Sequence, residues 1–265
     1  MKRLRHIVWD TAFGGWREIL VNFGGFTFYI GIMFIPAVLH LISQVEDARK
    51  VGDPSLVELI QTTGTAEVYS ILNSIITMLL VFIAGAGMKS DLASGTLTLV
   101  ITRVSRSTYY FGSWLGVLLI ASIYLAVGLA GYICLSLYFT SEISINIFAL
   151  TVNQALKVLV LVSGAFIFSL LISIPRCWLV GIGLAVCFVA LSYIPHLDWI
   201  PSAILAFLMP ALLGNTPATL IYSSSEFPWG ALAVVAAENI LYAITLVLIG
   251  LAVFERMDIP SRRTG

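Results

Sequence analysis

Long apolar runs separated by short polar stretches dominate the chain, and six of them have the length of membrane spans: residues 24–42, 66–88, 109–137, 151–173, 177–194 and 231–254. A helix needs about 20 mainly apolar residues to cross a hydrocarbon core of about 30 Å, and inside that core every backbone polar group must be bonded within its own helix. The pattern predicts an all-α integral membrane protein with six transmembrane helices and both termini on one side. Residues 199–213 are also apolar, but the run is short, contains Pro210 and lies between Pro201 and Pro217. Proline removes a backbone donor and interrupts a spanning helix, so this stretch is expected to be a re-entrant or interfacial external helix before the last span.

Ahead of the first span, Leu4, Val8, Ala12, Trp16 and Ile19 recur at helical spacing, with Trp9 and Trp16 suited to the headgroup level. Asp10, Arg17 and Glu18 interrupt what would be the uniformly apolar core of a secretory signal. Residues 4–21 are therefore expected to form an amphipathic helix along the inner face of the membrane, and Gly14 and Gly15 mark a bend in it.

Composition agrees with the pattern. Hydrophobic residues make up 59% and charged residues 11%, with a mean hydropathy of +1.00, against roughly 45–50% and 25% in soluble domains. The formal net charge of zero conceals an asymmetry. With the termini inside, Lys2, Arg3, Arg5, Arg17, Lys89, Arg103, Arg106, Arg176, Arg256, Arg262 and Arg263 are cytoplasmic, and only Arg49, Lys50 and Lys157 fall outside. Cytoplasmic loops carry the excess of lysine and arginine, so this orientation, in a cell membrane, is the expected one.

Catalytic patterns are missing. None of His6, His40 and His196 is followed by the glutamate of a zinc-protease helix, and no serine has the flanking glycines of a nucleophile elbow. Cys134, Cys177 and Cys187 have no metal-ligand spacing and read as small buried hydrophobes. No Gly-Lys pair exists, so a phosphate-cradling loop cannot be built from these residues. The expectation is a chain with no catalytic residues, no metal and no cofactor of its own. Any energy source would be a partner.

One polar island stands out between the second and third spans. It runs Lys89-Ser-Asp91-Leu-Ala-Ser94-Gly95-Thr96 and continues to Arg103-Val-Ser105-Arg106. Asp91 and Ser94 are residue types that cap helix starts, Gly95 permits a sharp turn, and Arg103 and Arg106 can pair with carboxylates or anionic headgroups. The pattern Asp-x-x-Ser-Gly-Thr followed by Arg-x-Ser-Arg resembles the permease subunits of ABC-2 type exporters, with Val104 standing where that family often has proline. Length, amphipathic N-terminal helix, six spans and external apolar segment match the same layout.

The resemblance implies a transmembrane permease subunit of an ATP-driven exporter. Residues 89–106, with Asp91, Ser94, Gly95, Thr96, Arg103, Ser105 and Arg106, would couple it to a separate cytoplasmic ATPase. It also implies two copies of that ATPase, which would bind ATP and Mg, and a second permease copy, taken as a homodimer in contact with membrane lipids; no nucleic acid is implied. Small residues at helical spacing, Gly112 with Gly116 and Ser122 with Ala126 and Ala130, would permit close helix contact. Glu238 and Asn239 in the last span are candidates for the substrate path, because an ionisable group costs about 2.5–3.5 kcal/mol at mid-depth. Pairing of Glu238 with Lys157 is the structural alternative. Asn73, Thr77, Asn153 and Gln154 are further path candidates, with helix-to-helix bonding as their alternative. An interior so poor in charge suits an apolar or amphipathic cargo, a lipid or drug-like molecule. An energy-independent carrier and a scaffold that docks an ATPase without transport are the rival functions.

Overall fold

The structure, a computed structural model, describes residues 2–14, 19–94, 100, 102–139, 146–172, 182–183 and 229–257. Among these residues every regular element is helical. The chain forms α1 (Lys2–Phe13), α2 (Gly25–Tyr29) between π-helical stretches at Leu20–Gly24 and Ile30–Phe34, then α3 (Ile35–Val51), α4 (Pro54–Ser94), α5 (Arg106–Phe139), α6 (Asn146–Leu171) and α7 (Trp229–Arg256). Among the described residues five stretches are long and apolar enough to cross a membrane: Asn22–Val51, Pro54–Gly87, Arg106–Phe139, Thr151–Leu171 and Leu232–Arg256. Apart from 182–183, the expected span at 177–194 lies outside the described residues, as does the expected external helix at 199–213.

The N-terminal helix is shorter than the expected 4–21. It ends at Phe13, where the Gly14 amide bonds back to the Asp10 carbonyl at 2.9 Å, and a β-carbon on Gly14 would strike that same carbonyl oxygen. Asn22, buried in the first span, donates to the carbonyls of Thr11 at 3.3 Å and Ala12 at 3.2 Å. A helix leaves its last carbonyls without partners, and here the next element supplies a side chain for two of them. Phe13 stacks on Phe23, and Phe26 stacks on Tyr124 with ring centroids 4.1 Å apart, so an aromatic path joins α1 to the first span and to α5.

The first span widens into a π-helix at Ile30–Phe34 just before Pro36, the second residue of α3. Proline lacks an amide proton and its ring crowds the carbonyl one turn back, which the wider stretch relieves. On the expected outer side the helices outrun the apolar segments. The first continues nine residues beyond 42 to Val51, and the second begins at Pro54 and not at 66. Burial explains the difference. Leu41, Val45 and Ala48 are buried along one face of α3, and Leu41 and Val45 cluster with Val68 and Phe139 over Val57, Ile60 and Leu135. Gly64 leaves room for the Leu41 side chain. The turn is made by three residues in order: Gly52 ends α3 at φ 81°, Asp53 accepts from the Ser55 amide at 3.0 Å, and Pro54 opens α4. The Ser55 hydroxyl and amide bound to Asp53 hold its carboxyl below the usual carboxylate range.

α4 and α6 form the centre, with 65% and 61% of their apolar windows buried against 12% in the first span and 22% in α7. α6 packs on α4 and α7, and α5 packs on α1 and α4. The shared core contains Leu72, Ile76 and Leu80 of α4, Tyr110, Ile120 and Tyr124 of α5, Val158, Val162 and Phe166 of α6, and Phe254 of α7. Lipid tails are as apolar as leucine, so close fit and hydrogen bonds must hold such helices together. Both are present: a β-carbon on Gly250 would collide with the Tyr110 hydroxyl and lie 2.9 Å from Ile167, and Trp114 Nε1 donates to Ser163 Oγ at 3.1 Å.

Candidate functional site

The residues expected to form a docking segment join the end of α4 to the start of α5. α4 continues through Ser94, so Asp91 occupies the last turn of a helix and not the helix start expected from its capping propensity. The helical propensity of the preceding apolar run carries the helix past the polar boundary, and position in a helix, not residue type, decides which backbone groups are free. Gly95 and Thr96, and the side chains of Asp91 and Ser94, lie outside the described residues.

The second half of the segment is described. Arg103 and Val104 form a turn whose amides both bond to the Val100 carbonyl, at 2.9 and 3.0 Å. Ser105 then caps α5, its hydroxyl accepting from the Thr108 amide at 3.3 Å and lying 2.7 Å from Thr108 Oγ1. A serine three residues ahead of the amide it accepts from is the usual N-cap arrangement. The cap turns the chain sharply into the third span.

The two arginines do different things. Arg103 is exposed, and its backbone carbonyl accepts from Arg3 Nη1 of α1 at 2.9 Å. Arg106 turns inward: its Nη1 donates to the carbonyls of Glu255 and Met257, both at 2.8 Å, at the end of α7. A guanidinium on the last carbonyls of a helix satisfies orphan acceptors and opposes the negative end of the helix dipole. These two bonds use one terminal nitrogen of the guanidinium, whose remaining N–H groups keep the capacity expected of Arg106 for an anionic partner. The contacts bring α1, the turn before α5 and the end of α7 together at one end of the molecule.

Gly112 and Gly116, expected to allow close contact, do so with α1: β-carbons there would lie 2.6 Å from Ile7 Cγ2 and 2.6 Å from Thr11 Cβ. Ser122, Ala126 and Ala130 remain exposed on α5. Beside the turn, α1 and α5 enclose an open groove of about 930 Å³ lined by Arg3, Leu4, Val104, Ser105, Ser107, Thr108, Phe111 and Leu115.

The path candidates divide into two groups. Thr77 and Gln154 form a clamp between α4 and α6 in which Asn73 takes part through its backbone: Gln154 Nε2 donates to Thr77 Oγ1 at 2.6 Å and to the Asn73 backbone carbonyl at 3.2 Å, while Thr77 Oγ1 donates to that carbonyl at 2.8 Å. This is helix-to-helix bonding. Asn153 is buried on α6. Glu238 and Asn239 point apart. Asn239 is buried, donating to the Val235 carbonyl at 2.8 Å, with its Oδ1 unpartnered among the described residues. Glu238 is exposed on α7. Among the described residues no cluster of three histidine, cysteine or acidic side chains could hold a metal.

Three contributors have no motif in the sequence: Arg3, Asn22 and the carbonyl groups at the end of α7. Asn22 carries the only prior signal, a buried amide within an apolar run. No family model matches the chain, and no curated protein is significantly similar to it.

Proposed function

We propose that this chain is the transmembrane permease subunit of an ATP-driven exporter of the ABC-2 type, with residues 89–106 as the surface that a cytoplasmic ATPase grips. Two ATPase copies bind ATP and Mg, and two copies of this chain enclose a path for an apolar or amphipathic cargo across the cell membrane, with all termini on the cytoplasmic side. The observation that supports the proposal most is mechanical. The turn before α5 is bonded to α1 through Arg3, and the first residue of α5, Arg106, which follows that turn, is bonded to the end of α7. A push on that turn is therefore delivered to three membrane-associated elements at once, as a coupling segment requires. Arg103, exposed at the tip, is the described side chain best placed to meet an acidic partner.

The experiment is affinity capture of the tagged chain from its host membrane, comparing wild type with an Asp91→Ala, Arg103→Ala double variant whose intramolecular side-chain bonds to α7 are intact. A nucleotide-hydrolysing partner in stoichiometric yield, lost in the variant, is the expected result. Absence of any such partner from both samples refutes the proposal. ATP-dependent movement of a lipid-like dye in vesicles holding the purified complex separates an exporter from a docking scaffold, and movement without ATP identifies a carrier.

A further inference from the structure

We infer that the groove between α1 and the start of α5 is a binding site for one anionic phospholipid of the leaflet on the N-terminal side. This goes beyond the proposed exporter function and needs no ATPase. The lining changes character along one helix face: Ser105, Ser107 and Thr108 at the top give way to Phe111 and Leu115 below, with Arg3 and Leu4 of α1 opposite. From residue 105 to 115 a helix rises about 15 Å. That is a hydroxyl-rich mouth above a hydrocarbon wall, with the polarity order of a phospholipid.

Charge complementarity selects an anionic headgroup. Arg3 borders the mouth, the exposed Arg103 adjoins the lining residue Val104, and among the described residues that line the groove none is acidic. Arg3 is fixed by its bond to the Arg103 carbonyl, which uses one of its five donors. The remaining donors suit phosphate oxygens, beside a mouth kept polar by the hydroxyls of Ser105, Ser107 and Thr108, which bond to one another, and basic pockets between helices at the cytoplasmic face are the general setting for such headgroups. The volume, about 930 Å³, lies within the range of roughly 300–1,000 Å³ typical of small-molecule sites. A free phosphate would leave Phe111 and Leu115 facing water, whereas an acyl chain covers them.

The test is native mass spectrometry of the purified full chain from mixed micelles containing equal phosphatidylglycerol and phosphatidylcholine. Wild type is expected to retain one phosphatidylglycerol preferentially. Arg3→Gln keeps an amide donor for the Arg103 carbonyl but removes the charge, and should weaken the preference about fivefold. Ser107→Glu adds a carboxylate in the first turn of α5, where the helix dipole favours it, and should weaken the preference by a similar factor without loss of fold. Equal retention of both lipids by wild type, or undiminished phosphatidylglycerol in both variants, overturns the assignment. Glycerol 3-phosphate is the control for a soluble ligand: failure to displace the lipid supports the proposal, and displacement at matched concentration refutes it.

Discussion

Replacing Arg106 with alanine probes a hydrogen-bonded contact between the start of α5 and the end of α7. The side chain donates two hydrogen bonds, one at an exposed carbonyl and one at a half-buried carbonyl. Bonds from a charged donor contribute about 1.5–3 kcal/mol each when well sheltered, and a cation at a helix C-terminus about 0.3–1 kcal/mol. Exposure of one bond and the availability of water to replace it bring the expected loss to about 2 kcal/mol. That loss is local, since neither carbonyl belongs to the apolar core. The last turn of α7 should open about thirtyfold more often, because 1.4 kcal/mol corresponds to a factor of ten. Hydrogen exchange of the peptide covering the end of α7, in detergent, reads this directly. Exchange in the middle of α4 serves as the internal reference and should not change. Arg106→Lys, which keeps the charge but not the planar fork, should fall between the two. Unchanged exchange at the end of α7 in Arg106→Ala would refute the latch. Equal acceleration everywhere would show a global destabilisation and refute it as well.

Other consequences follow from particular contacts. Gly250→Ala places a methyl group against the Tyr110 hydroxyl and should destabilise by about 1–3 kcal/mol; Tyr110→Phe should recover much of this in the double variant, and on its own should be neutral or stabilising because that hydroxyl has no partner among the described residues. Thermal unfolding of the four proteins in one detergent checks both signs. Gln154→Ala removes the clamp onto Thr77 and Asn73 and should cost about 1 kcal/mol, a fall of roughly 2–4 °C in Tm, with transport per folded molecule unchanged; a transport defect at unaltered Tm would place these residues on the path instead. The Asp53 cap should be pH-dependent with a defined sign. Its carboxyl is held low by Ser55, so the cap contributes fully above the usual carboxylate range and is lost as pH falls through the depressed value. Exchange in the first turn of α4 should therefore stay slow to mildly acid pH and quicken below it, and Asp53→Asn should abolish the dependence.

The apolar periods of the chain announced helices of spanning length because hydrocarbon admits no other backbone arrangement that satisfies itself locally. They did not announce where those helices end. Leu41, Val45 and Ala48 look like the edge of an ordinary polar loop until the facing Val57, Ile60 and Val68 are brought alongside, and only then does their spacing become a buried seam. The turn between them was legible in principle, since Gly52, Asp53 and Pro54 each have one strong local preference and the three agree. The polar segment 89–106 shows the same division. That a polar island with two arginines lies between two spans is a property of the sequence. That Arg106 faces inward is not, because its acceptors are backbone carbonyls about 150 residues further along, and a carbonyl carries no signature in side-chain identity. Gln154 reaches the Asn73 backbone carbonyl without a sequence signal for the same reason.

What the sequence determined by itself is the membrane setting, the helical class and the presence of a docking-like island, all of which depend on residue type and on neighbours within one or two turns. Tertiary structure alone decided which polar groups find each other across the bundle. It clamped Gln154 onto Thr77 and the Asn73 backbone, gave Asn22 to the end of α1, and made Arg106 a latch for α7. The physical reason is that hydrogen bonds between helices depend on the relative rotation and height of two rigid rods. Those quantities are set by the close fit of many small contacts, such as Gly250 against Tyr110 and Gly112 against Ile7, and by no single residue.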